Sequence, residues 1–299
     1  MEVMTPNLGQ YGVTSPHIQN LDILMKGALM KGGLMEEKTY FLQTSPEYAM
    51  KRLLAEGCGS IYQITSAFRG SESGNRHNPE FTLLEWYRPS LSLEGLMEEL
   101  DALLSALCSS FQICRENASF VSYRHLFQNR YNANPHQLDV GQLHILAKDH
   151  FPNLVSHLDE DSGVDDVLDL LFSAGVEPSL IKPHFVFDYP ASQSALAKLE
   201  TRSGDTVALR FELFWQGMEL ANGYDELTDA KELRQRFIRD NETRASKDLD
   251  EILLDENLLA CLENLPECTG VALGLDRLQM LLTDVDSIKQ VLSFSIEDA

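Results

Sequence analysis

Two stretches with the alternation of a β-strand dominate the first third of the chain. Ile61–Phe68 and Glu80–Tyr87 both read as strands, and Gly70–Asn78 between them is built from Gly, Ser, Asn, Arg and His, which suits a polar turn. On the second strand Phe81, Leu83, Glu85 and Tyr87 share one face, with Thr82, Leu84 and Trp86 on the other. A further strand is predicted over Val207–Phe214, where Arg210 and Glu212 alternate with Leu209, Phe211 and Leu213, leaving one wet or functional face. Gln216–Gly217 predicts a tight turn. Met218–Ala221 then starts the return strand, and Asn222–Gly223 breaks it. His184–Asp188 predicts a short strand entering a turn at Tyr189–Gln193, and Tyr40–Gln43 another strand. Residues 7–39 read as loop with short strands.

Helical spacing appears elsewhere. Thr44-Ser45-Pro46-Glu47 is a helix start, continued by Tyr48, Met50, Leu53 and Leu54 to Gly57. Ser92–Phe111 is an amphipathic helix, and shorter ones follow over Gln137–Phe151 and Asp165–Ala174. Thr269–Leu282 reads as a glycine-bearing strand feeding a helix, with Arg277 in its first turn.

With 299 residues and 43% hydrophobic content, the chain has room for one large domain or two small ones. It has no apolar run of about 20 residues to cross a membrane, and its N-terminus lacks the basic-then-apolar pattern of a secretory signal. Five scattered cysteines without a C-x-x-C pair favour free thiols in a reducing cytoplasm. His125, His136, His144, His150 and His157 lack metal-ligand spacing. The formal charge of −22 opposes binding to a nucleic-acid backbone, although it also serves solubility alone.

Several groups exceed the needs of a core. Arg69 ends the first strand and can neutralise a phosphate, Phe81 can stack on a flat base, and Glu85 and Tyr87 can grip a polar ligand. Glu212, Glu219 and Glu226 form a carboxylate ladder on the later hairpin. Carboxylates facing one another call for a cation, either magnesium or a diamine, unless the hairpin is merely solvated.

Phe68-Arg69, His77-Asn78-Pro79-Glu80-Phe81 and Glu85-Trp86-Tyr87 together resemble motif 2 of class II aminoacyl-tRNA synthetases, in the lysyl branch. Gly270-x-x-x-Gly274-x-x-Arg277 resembles motif 3. The best match is the EpmA family, free-standing relatives of lysyl-tRNA synthetase that modify elongation factor P. The resemblance implies an α+β fold, a mostly antiparallel β-sheet flanked by helices. It implies a single catalytic domain over 1–299; the sequence departs from the family in beginning after the helix that precedes motif 1 would have ended, and no anticodon-binding domain is expected. In the family that helix helps to form a homodimer.

The resemblance further implies ATP and Mg2+ as cofactors. Arg69 and Arg277 would be catalytic. Gly70, Ser71, Glu72, His77, Asn78, Phe81, Glu219, Leu220 and Gly274 would join them in holding ATP, and Glu212 and Glu219 would hold the metal. Ser45, Pro46, Glu47, Glu85, Tyr87, Asn222, Glu226 and Ala272 would bind lysine or (R)-β-lysine. Ala272 replaces the usual glycine of lysyl-tRNA synthetases, a change associated with (R)-β-lysine. The acid expected two residues after Arg69 is displaced by one, to Glu72. The implied reaction is adenylation of the amino acid and its transfer to a lysine of elongation factor P in the cytoplasm, with tRNA disfavoured by the acidity. The alternative is a non-catalytic paralogue that binds an amino acid and regulates a partner.

Overall fold

The structure, a computed structural model, describes residues 1–29, 35–70, 72–158 and 162–299, and the side chains of residues 26–29, 35, 36 and 157 lie outside the description. Ser71, expected at the nucleotide, lies outside the described residues. The chain divides into two compact units: Met1–Ser90 with Thr228–Cys268 and Ala272–Ala299, and Leu91–Leu227 with Thr269–Val271.

The first unit opens with β1 (Leu8–Gly9), β2 (Asp22–Leu29) and β3 (Met35–Leu42), a small sheet in the order β1-β3-β2. β2 and β3 are longer than the short strands expected over 7–39, because Ile23, Leu24 and Met25 are consecutive, exposed apolar residues that show no alternation. Helix α1 (Glu47–Ala55) starts where expected, and the Ser45 hydroxyl accepts from the Glu47 N–H at 3.0 Å. Strands β4 (Ile61–Phe68) and β5 (Glu80–Pro89) pair antiparallel from Ile61 opposite Tyr87 to Phe68 opposite Glu80. Met50, Leu54, Ile61 and Tyr87 pack into one core cluster.

The second unit begins with α2 (Leu93–Ser110), capped by Ser92, whose hydroxyl accepts from Gly95 N at 3.1 Å. Then come β6 (Ser119–Ser122), α3 (Tyr123–Tyr131), α4 (Val140–His150) and α5 (Val164–Gly175). α4 is shorter than the predicted Gln137–Phe151, because Asp139 and Gln142 form a capping box that fixes its start. Strands β7 (His184–Pro190), β8 (Leu199–Arg202), β9 (Asp205–Phe214) and β10 (Glu219–Asp225) complete the unit. β10-β9-β7-β6 lie side by side and β8 also pairs with β9. Every pairing here is antiparallel except β6 with β7. A buried aromatic cluster of Tyr123, Phe127, Phe172, Tyr189 and Phe214 backs these strands.

Three expectations for this hairpin are corrected. The alternating face of β9 is not wet: Ala208, Glu212 and Phe214 are buried along with Leu209, Phe211 and Leu213. β10 does not break at Asn222–Gly223, since Asn222 pairs with Glu212 and Gly223 with Phe211. A Cβ on Gly223 would lie 2.5 Å from the Phe211 ring and 3.0 Å from the Gly270 carbonyl oxygen, so this glycine allows close packing within a strand. Glu219 stands opposite Phe214, so Glu212 and Glu219 do not face each other across the hairpin.

The chain then returns to the first unit with α6 (Ala230–Ser246) and α7 (Glu256–Cys261). Next come β11 (Cys268–Gly274), whose Thr269–Val271 count with the second unit, and α8 (Leu275–Thr283). In the first unit the strand order is β4-β5-β11. Predominantly antiparallel strands with helices around them make the fold α+β. All five cysteines are free thiols.

Candidate active site

In the first unit, β4 and β5 fix both ends of the Gly70–Asn78 loop. The Arg69 N–H donates to the Pro79 carbonyl at 2.9 Å, and the Gly70 N–H to the Gln19 carbonyl at 2.9 Å. The Arg69 guanidinium sits 5.1 Å over the Phe81 ring and donates to Glu72 at 3.1 Å. The displaced acid therefore reaches the arginine from its new position. On the loop, His77 meets the charges of Arg277, Arg69 and Arg76. Burial first, then Arg277, hold its imidazole below the ordinary histidine range, and Glu72 opposes them. Arg277 Nε donates to the Arg76 carbonyl at 3.2 Å, from the first turn of α8. That helix starts at Gly274 without a side-chain cap, and Ala272 precedes it on β11, half-buried. Arg69, Glu72, His77, Phe81 and Arg277 thus gather around one loop, three guanidiniums to one imidazole on a chain of net charge −22.

Asn78 behaves differently. Its Nδ2 donates to the Glu80 carbonyl at 2.6 Å and its Oδ1 accepts from Ile296 N at 3.1 Å. Its buried amide is committed to protein backbone. The amino-acid candidates of this unit meet partners as well. Tyr87 OH donates to Glu85 Oε1 at 2.7 Å, with both residues buried. Glu47 accepts from Lys51 Nζ at 2.7 Å, one helical turn on, and Lys51 is only 1% exposed. Pro46 is buried at the N-cap of α1 and Ser45 is half-buried before it.

In the second unit the centre is Arg210, which sequence reasoning did not single out. Its guanidinium lies over Tyr189 at 4.8 Å and Tyr224 at 5.8 Å, donates to the Gln193 carbonyl at 2.7 Å, and donates to Glu212. Burial is the largest effect and works against its charge, but Glu212, Tyr224, Tyr189 and Glu219 together outweigh it and raise the pKa above the ordinary arginine range. Glu212 accepts from Tyr189 OH at 2.7 Å on its other oxygen. Asn222 Nδ2 donates to Tyr224 OH at 3.0 Å, while its buried Oδ1 has no hydrogen-bond partner among the described residues. Such an acceptor costs about 1–3 kcal/mol when left unmet, which makes it a point for a ligand donor to dock. Leu220 and Glu226 are buried, and Glu219 is half-buried at the head of β10.

The signals for the missed residues were weak. Arg210 stands two residues before Glu212 on the same strand face, and Lys51 stands at i+4 from Glu47. Both are ordinary pairings until burial gives them weight. Magnesium fits these groups unevenly. Both oxygens of Glu212 are already engaged, so the role of open ligand does not suit it in this arrangement. Glu219 offers the hard oxygen that magnesium takes when substrate phosphates and water complete its shell. Among the described residues, no group of three or more His, Cys, Asp or Glu side chains could hold a metal unaided.

A family model described as tRNA synthetases class II (D, K and N) matches residues 1–298. The elongation factor P–(R)-β-lysine ligase of Pectobacterium atrosepticum is 43% identical over 302 residues, spanning 100% of this chain and 89% of that protein. The chain belongs to this ligase family. Its similarity extends to the ligases of Edwardsiella ictaluri, 44% identical over 303 residues, and Salmonella dublin, 42% identical over 302. Each comparison spans 100% of this chain and 89% of the relative. Membership of the class II ligase family accounts for a motif 2 loop between two antiparallel strands and for a motif 3 arginine in the first turn of a helix. Among the described residues, no helix is long and apolar enough to cross a membrane.

Proposed function

We propose that this ligase activates (R)-β-lysine, or lysine, with ATP and transfers it to a lysine side chain of elongation factor P. The observation that carries the reading is the convergence of Arg69, Arg76 and Arg277 on His77 in so acidic a chain. Three cations around one loop cost self-repulsion, and a polyphosphate would relieve it. In this reading Phe81 stacks on adenine, Arg69 meets the α-phosphate, and Arg277 and His77 meet the distal phosphates. Gly70, Glu72, Asn78 and Gly274 of the first unit adjoin the nucleotide, and Leu220 is the residue proposed for it from the second.

The residues proposed for the amino acid are Glu47, Glu85 and Tyr87, with Ser45, Pro46 and Ala272, in the first unit, and Asn222 and Glu226 in the second. Three carboxylates suit a substrate that carries two ammonium groups, and Lys51 and Tyr87 hold Glu47 and Glu85 in place for it. The substrate carboxylate oxygen attacks the α-phosphorus in line and pyrophosphate leaves. The deprotonated amine of the acceptor then attacks the acyl carbon and AMP leaves. The protein's contribution is positioning and charge neutralisation, with no protein nucleophile. Magnesium, when bound, would supply charge neutralisation for the phosphates. Glu219 is the ligand proposed for it, and Glu212 joins only by giving up Arg210.

The reading takes 1–299 as one catalytic domain, acting in the cytoplasm and as a homodimer. The acidity argues against tRNA as acceptor. The test is ATP–pyrophosphate exchange with (R)-β-lysine, with L-lysine and with no amino acid. Exchange dependent on β-lysine, lost in Glu219→Ala while folding is retained, is the expected result. The second reading, a binding paralogue, draws on the Arg69–Glu72 pair, which already occupies the phosphate-binding arginine. Absence of exchange from folded protein with magnesium present would favour it.

A further inference from the structure

Beyond α8 the chain turns at Asp284, in the left-handed region with φ 54°, and runs back to the motif 2 loop. Ile288, itself buried, donates its N–H to the Asn75 carbonyl at 2.7 Å. Further on, Ile296 N donates to Asn78 Oδ1 at 3.1 Å. Between these points the segment is internally braced. Lys289 Nζ meets Glu297 at 2.6 Å, the buried Ser295 hydroxyl donates to Asp298 at 2.6 Å, and Asp298 N donates to the Ser295 carbonyl at 2.9 Å. Ile288 anchors the start of the segment by burial, whereas the side chains of Phe294 and Ile296 point to solvent, so the far end is held to the loop by its backbone bond and not by apolar burial.

Asn78 is the key to what the contact achieves. Its amide spends both ends on backbone groups, Glu80 on one side and Ile296 on the other. Buried and held at both its nitrogen and its oxygen, the side chain is placed to anchor the loop. The neighbouring Arg76 carbonyl is held by Arg277, and His77 closes a mutual bridge with Gly74 at 3.2 and 3.4 Å. The return limb of the loop is thus fixed at Asn75, Arg76 and Asn78 by groups from α8 and the tail.

We propose that Ile288–Asp298 is a positioning strap for ATP. It sets the return limb so that the nucleotide meets its backbone and His77, with Asn78 serving as the anchor and not as a side-chain ligand. The proposal rests on the reading of this loop as an ATP site.

The test compares the wild type with Ile296→Pro, which removes the donating N–H and also fixes φ at that position, and with Asn78→Ala, which removes the acceptor and leaves the tail backbone unchanged. Ile296→Ala is the control that keeps the N–H. Two quantities are measured: backbone hydrogen exchange over Gly74–Asn78, and KM for ATP and for the amino acid in pyrophosphate exchange. Ile296→Pro and Asn78→Ala are expected to speed amide exchange in the loop. They should raise the ATP KM by roughly fivefold to tenfold, the equivalent of one lost hydrogen bond. The amino-acid KM stays within about twofold, and Ile296→Ala matches the wild type, whereas a general loss of stability would not separate the two KM values. Unchanged loop exchange in Ile296→Pro would overturn the strap. So would faster loop exchange with an unchanged ATP KM. If the wild type itself supports no pyrophosphate exchange, the ATP reading fails separately, while the hydrogen-exchange comparison still reports on the clamp.

Discussion

Replacing Arg210 by methionine tests what holds the hairpin of β9 and β10. Methionine keeps much of the buried stem and removes the guanidinium. Glu212, 9% exposed, is then left with Tyr189 as its remaining hydrogen-bond donor in the structure. Breaking a buried ion pair from one side costs about 3–5 kcal/mol. The Gln193 carbonyl loses a 2.7 Å bond, and two ring contacts at 4.8 and 5.8 Å are lost with it. Proton uptake by Glu212 offers partial escape, so the total should stay near about 3–5 kcal/mol instead of growing with each lost contact. Glu212→Gln in the Arg210→Met background removes the stranded charge and keeps an acceptor for Tyr189, so at least half the loss should return. Trp215, 8% exposed at the turn of this hairpin, reports its unfolding in urea once Trp86 is replaced by Phe. A loss under about 1 kcal/mol for Arg210→Met, or additivity within about 0.5 kcal/mol across the double-mutant cycle, would refute the reasoning.

Other outcomes follow from single contacts. Lys51→Met removes the ammonium at 2.7 Å from Glu47 and should cost about 1–3 kcal/mol by thermal melting, less than a fully buried pair because the Glu47 side chain keeps 17% exposure. Gly223→Ala should destabilise by about 1–3 kcal/mol, because its Cβ has to displace the Phe211 ring and the Gly270 carbonyl; a neutral change in urea midpoint would show that β10 is looser than drawn. Asp276 carries a pKa raised by burial, against the lowering effect of the Thr82 N–H it accepts at 2.6 Å. A folded pKa above the unfolded one gives a contribution that is present below the unfolded value and lost as pH rises through the folded one. Asp276→Asn, which keeps an acceptor, should therefore gain on the wild type at pH 7 and lose that margin on acidification to about pH 4. A margin independent of pH sinks the assignment.

Much of the architecture could be read from period and punctuation. β4 has the predicted bounds and β5 the predicted start, because alternation and a polar turn both mark them. The Ser92 cap and the Arg277 helix likewise carry local signals in their own residues. The hairpin of β9 and β10 was read less well for one physical reason. Sequence shows charge but not burial, so a strand face holding Arg210 and Glu212 looks wet. In the structure those two charges neutralise each other between Tyr189 and Tyr224, and the face is closed. Register was similarly hidden. Spacing alone placed Glu212 against Glu219, while the turn at Gln216–Gly217 and a bulge near Leu220 place Asn222 there.

The same limit separates residues that look alike in sequence. Asn78 and Asn222 both read as ligand-binding amides. The first has both ends of its amide satisfied by backbone, and the second buries an acceptor that no described residue meets with a hydrogen bond. An amide already satisfied is an anchor, and one left with a buried open acceptor is a place for a substrate donor. Asn222→Ala should accordingly weaken amino-acid binding by about 1–3 kcal/mol with little cost to folding, because the group it deletes is a liability in the free protein. Loss of stability without loss of affinity, measured by calorimetric titration and melting on the same sample, would assign Asn222 to the fold and remove it from the site.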